Sequence, residues 1–129
     1  PTGQVVATNN DFDDQQDPLV AYVVPSDGVY TVRVNDQSMA GGPQHFYRAS
    51  IGTFPLVTGV FPLNVPVGRE SRVELTGYNL PAGGVSATVK PSEPADVAVP
   101  YDMDKLRVVK APRVRATAEV EIAELEPND

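Results

Sequence analysis

The 129-residue chain has room for one ordinary domain or two small ones, and a hydrophobic share of 41% is enough to build a core. Its net charge of −7 repels a polyanion over most of the surface, which argues against nucleic-acid binding, and no apolar run approaches the ~20 residues of a membrane-spanning helix. Zero cysteines exclude disulfides and thiolate metal sites, a composition compatible with an exported bacterial protein, and a single histidine, His45, leaves no room for a histidine-based triad beyond that one residue.

Thirteen prolines and ten glycines punctuate the chain every few residues, which excludes long helices and predicts short strands joined by turns. The chain opens at Pro1 with no initiator methionine and no visible signal peptide, so the expectation is a processed product or a piece of a longer protein. Residues 4–8 are the first candidate strand. They run into a polar, acid-dense loop over 9–18. Residues 19–24 are apolar at every position, as suits a strand covered on both faces. The turn Pro25-Ser26-Asp27-Gly28 leads into 29–34, where Tyr30, Val32 and Val34 point one way and Val29, Thr31 and Arg33 the other. A loop containing Gly41-Gly42 precedes a strand over 45–51.

The punctuation Gly52-Thr53-Phe54-Pro55 separates that strand from the next, over 56–61, so one β-module is expected to close before the junction and another to open after it. Residues 64–68 read as a turn region. Residues 72–76 alternate, with Val73 and Leu75 inward, and after the loop 77–84 the stretch 85–90 alternates again, with Val85, Ala87 and Val89 inward. Residues 91–104 read mostly as loop, with a short strand at 97–99. Strands over 106–110 and 113–122 close the series. The last gives the best period-two signal, with Val114, Ala116, Ala118, Val120 and Ile122 facing in. Turn chemistry every 8–12 residues indicates an all-β chain built of antiparallel β-sandwich modules.

Two groups of residues resemble known families. The run Asn10-Asp11, Asp17-Pro18-Leu19 and Pro25-Ser26-Asp27-Gly28-Val29-Tyr30, continuing to Val34 and ending in Phe46-Tyr47-Arg48-Ala49-Ser50-Ile51, resembles the C-terminal half of the bacterial pre-peptidase C-terminal (PPC) domain. The resemblance implies half of a jelly-roll-like sandwich over 1–52. The rhythm Pro55-Leu56-Val57-Thr58-Gly59-Val60-Phe61-Pro62, Gly68, then Val73 to Leu80 with Gly77 and Asn79, is similar to the immunoglobulin-type IPT/TIG domain and implies an Ig-like sandwich over 53–122. Residues 123–129 are then a linker carrying the start of a following PPC-like repeat. This block order is similar to that of multi-domain exported proteins of bacteria.

Four aspartates and two asparagines fall within 9–17. Calcium takes six to eight oxygen ligands, and close acids repel unless a cation sits among them, so Asn10, Asp11, Asp13, Asp14 and Asp17 are candidate calcium ligands. The competing reading is a solvated turn built of good turn residues. The resemblance adds Glu124, Glu126, Asn128 and Asp129, which match a motif that supplies calcium ligands in collagen-binding members of the PPC family; a frayed polar terminus is the plainer reading of the same residues. His45 reads as structural, the serines carry no nucleophile motif, and no glycine-rich phosphate loop precedes a helix, so no catalysis is expected. Tyr30 is expected in the core, and Tyr78 and Tyr101 are the better surface aromatics.

The expected function is therefore that of a non-catalytic, secreted or cell-surface module for adhesion, matrix or surface assembly, possessing calcium as its candidate cofactor and extracellular matrix or polysaccharide as candidate partners. Because half a sandwich leaves an unpaired edge, another protein chain or a missing N-terminal portion is expected to complete the first module. The alternative from another class is a targeting or propeptide segment cut from a secreted hydrolase.

Overall fold

A computed structural model of the chain describes residues 3–118. The chain divides into two units, Pro1–Ser50 and Ile51–Asp129. No helix occurs among the described residues, and the fold is an all-β sandwich.

The second unit holds the regular strands: β1 (Leu56–Phe61), β2 (Asn64–Pro66), β3 (Ser71–Tyr78), β4 (Val85–Val89), β5 (Asp96–Ala98), β6 (Arg107–Val108) and β7 (Arg113–Thr117). They form a four-stranded sheet in the order β4-β3-β1-β6 and a three-stranded sheet in the order β2-β7-β5. Between the sheets lie Val57, Val65, Val73, Leu75, Val89, Val99, Leu106, Val114 and Ala116, all buried and all aliphatic. Each of the larger ones stabilises the fold by roughly 1.5–3 kcal/mol through the apolar surface it removes from water. The period-two pattern places them there: in β3, Val73 and Leu75 point inward while Arg72, Glu74 and Thr76 stay exposed.

The sheets are mixed, which corrects the purely antiparallel expectation. β1 pairs antiparallel with β3 but parallel with β6, and β2 pairs parallel with β7. A parallel pair needs a long crossover, and the stretches from β1 to β6 and from β2 to β7 supply one. The chain leaves the first sheet after Phe61 and joins the second at Asn64, through the cis peptide Phe61-Pro62. β2 corrects the turn reading of 64–68. With one buried side chain, Val65, three residues carry no measurable period, and Pro66 is tolerated because β2 is an edge strand.

Gly77 is required by a close approach. It stands opposite Val57, beside the bulge between Val57 and Gly59, and a Cβ there would lie 1.9 Å from the Leu56 carbonyl oxygen. The loop from β3 to β4 turns on left-handed backbone at Asn79 (φ 52°), Gly83 (φ 96°) and Gly84 (φ 76°), where glycine carries no steric cost.

The first unit differs. The strands expected over 4–8, 19–24, 29–34 and 45–51 do not form, because a strand exists only through the backbone hydrogen bonds of a neighbour, and none of these stretches has one. Among the described residues of this unit the one bridge, Phe12 with Gln15, closes the tip of the acid loop. Tyr30, expected in the core, is 43% exposed; its ring meets that of Tyr22 at 6.3 Å and its hydroxyl donates to the Ser26 carbonyl (3.2 Å). Tyr101, expected at the surface, packs half-buried against the core of the second unit.

Candidate interaction surfaces

The acid loop is built as a tight turn. Gln15 N–H donates to the Phe12 carbonyl (3.1 Å), Asp13 takes the left-handed conformation (φ 58°), and Leu19 N–H donates to Asn9 Oδ1 (3.2 Å) at the loop's base. Asn10 Nδ2 donates to Asp11 Oδ2 at 3.0 Å. Asp11, Asp13, Asp14 and Asp17 are all exposed, and among the described residues no three His, Asp or Glu side chains converge on one centre. Glu124, Glu126, Asn128 and Asp129 lie outside the described residues. His45 is exposed, and its backbone N–H donates to the Gly42 carbonyl (3.0 Å).

The second unit presents two depressions and an open sheet edge. A shallow hollow of about 80 Å³ is lined by Arg72, Glu74, Leu75, Gly83, Gly84 and Val85, and a wider one of about 470 Å³ by Pro94, Ala95, Asp96, Arg115, Ala116, Thr117 and Ala118. β4 pairs with β3 on one side only. Its five residues, Val85, Ser86, Ala87, Thr88 and Val89, carry no charge and no proline, the two devices that ordinarily blunt an edge. Val85 and Ala87 are half-buried, at the rim of the core. Tyr78 ends β3 on the outer face, 47% exposed, opposite Leu56, which pairs in turn with Arg107. The Arg107 guanidinium stands 4.2 Å over the Phe54 ring.

Electrostatically, the strongest local feature is the turn before β6. Asp102 accepts from Lys105 Nζ (2.9 Å) and from Asp104 N–H (3.0 Å), and these hydrogen bonds hold its carboxyl below the ordinary 3.8. The same contact holds Lys105 above 10.5. Both groups are solvent-exposed, so the pair orders a turn rather than building a reactive centre.

Charge divides along the chain in a way the total conceals. Residues 1–50 carry six aspartates and two arginines, a net of −4, 51–118 carry eight Lys and Arg against six Asp and Glu, a net of +2, and 119–129 carry five acids and no base, a net of −5. Neither the open edge nor this division is apparent in the hydrophobic pattern of the chain. Counting charge by segment finds the second; the first needs the strand order. The chain matches no protein-family model, no characterised protein and no solved structure. Among the described residues, no helix is long and apolar enough to cross a membrane.

Proposed function

We propose that the chain is a non-catalytic extracellular β-sandwich segment that acts in adhesion, matrix or surface assembly, recognising partners through sheet edges and unpaired strands. The observation that carries this is the state of residues 19–34. Val20, Val23, Val24, Val29, Val32 and Val34 are each at least half exposed, and no hydrogen bond joins this stretch to a neighbouring strand. Apolar, alternating backbone of this kind gains most by pairing with a strand supplied from outside.

The second unit serves as the folded carrier. Four strands facing three support the IPT/TIG-like, immunoglobulin-type reading. The PPC-like reading of 1–52 is supported by the strand-length spacing of its apolar stretches, and its completion falls to another chain or a preceding segment. Calcium belongs to the same reading as the ion that would draw the aspartates of the acid loop together. The test is co-sedimentation of the purified chain with bacterial cell envelopes and with matrix polysaccharides. Retention without turnover is expected. A chain that binds neither, or that is cleaved from a precursor bearing a catalytic domain, overturns this in favour of a propeptide.

A further inference from the structure

We propose that copies of this chain assemble head to tail, residues 29–34 of one copy adding as a strand to the open edge of β4 in the next. This rests on the surface-assembly reading and names its partner: a second copy. The donor has backbone to offer, since none of its N–H or C=O groups is paired with another strand, and on one face of it Tyr30 and Val32 are 43% and 65% exposed. The acceptor is the uncharged free edge of β4.

Matching faces and using all three apolar positions of each strand sets the register. β4 turns Val85, Ala87 and Val89 toward the core and Ser86 and Thr88 outward. An antiparallel neighbour must place its apolar set on the same side, because directly opposed residues share a face. The arrangement that does so sets Tyr30 against Val89, Val32 against Ala87 and Val34 against Val85. It leaves Thr31 against Thr88 and Arg33 against Ser86 on the outer face. Residues 19–24, apolar at every position, would put apolar side chains on both faces and fit the edge less well.

Two charge relations support this placement. Ser86 pairs with Glu74 on β3, so Arg33 meets that carboxylate across the small Ser86 side chain; among the described residues, neither Arg33 nor Glu74 has another ion-pair partner. The same register brings Asp27 toward Lys90. Donor and acceptor are different surfaces, so the contact is heterologous and propagates into open chains or rings instead of stopping at a two-fold dimer.

The test is sedimentation velocity of the full chain across a concentration series. Average mass is expected to climb past that of a dimer, and to fall in high salt. Thr31→Pro, which removes a donor N–H in a segment outside the sandwich, is expected to abolish assembly, and added to the unaltered chain it shortens the oligomers because it accepts but cannot donate. Arg33→Glu and Glu74→Arg are each expected to weaken association on the order of fivefold, and the double swap to restore it. A chain that stays monomeric throughout, a dimer that grows no further, or assembly indifferent to Thr31→Pro overturns the proposal. None of these results touches envelope binding, which tests the adhesion reading separately.

Discussion

The two units of this chain use one alphabet with opposite outcomes. Residues 29–34 and β3 both alternate apolar and polar side chains, yet Val73 is fully buried in the sandwich and Val32 is 65% exposed. Intrinsic β-preference is alike in both, so it is not what separates them. β3 has hydrogen-bonded neighbours on both sides, β1 and β4, and a second sheet to close over its inner face. Residues 29–34 have neither. Alternation states which face a strand would bury; the existence of a neighbour is a separate, non-local fact.

The comparison can be broken hardest at Gly77. Replacing it with alanine drives a Cβ into the Leu56 backbone, and a loss of about 3 kcal/mol or more is expected in urea unfolding of the sandwich. Gly41→Ala, in the first unit with nothing within 4 Å, is expected to leave the same transition in place. Next in size is the pair Val73→Ala and Val32→Ala. The first removes two buried methyl groups and leaves a cavity, costing about 2–3 kcal/mol, and the second is expected to cost under about 0.5 kcal/mol in the same melt. Equal losses at the two valines would erase the distinction between the units.

Much of the sandwich was legible in advance for physical reasons. Residues 56–61 form β1 with the expected bounds, 72–76 grow into β3, 85–90 lose only their last residue to become β4, and 97–99 shift by one to become β5; the longer three carry enough inward side chains to declare their face. Of 113–122, residues 113–117 are β7, with Val114 and Ala116 buried, and 119–122 lie outside the described residues. β6 keeps only Arg107 and Val108 of the 106–110 expected, since its one partner among the described residues is β1, over two residues. The tyrosines show the limit. Tyr30 alternates as a core residue should, but no sheet covers it; Tyr101 sits in a proline-rich loop, yet that loop folds over the core. Of the candidate site, the acid loop is visible as composition, but whether its side chains converge depends on the turn's geometry, and among the described residues no three of its acids form a metal-holding group.

Smaller effects sharpen the same contrast. Asp102 and Lys105 shift in opposite directions, so their contribution is present above the ordinary aspartate value of 3.8 and below the ordinary lysine value of 10.5. It fades as pH falls through the lowered Asp102 value or rises through the raised Lys105 value. Asp102→Asn is therefore expected to lower sandwich stability slightly at neutral pH and not at all in strong acid, as read from melts at the two pH values. Calcium is expected to leave the sandwich's melting temperature unmoved, because the acid loop belongs to the other unit; a shift would place a calcium site within the sandwich.

Segment-resolved hydrogen exchange on the dilute monomer bears most directly on the central claim, that residues 19–34 are strand-patterned backbone awaiting a neighbour. Amides of β1, β3 and β7 are predicted to exchange slowly, at rates set by opening of the sandwich, while those of 19–34 exchange at nearly the rate of free peptide. Protection of 19–34 in the monomer comparable to that of β3 would contradict it.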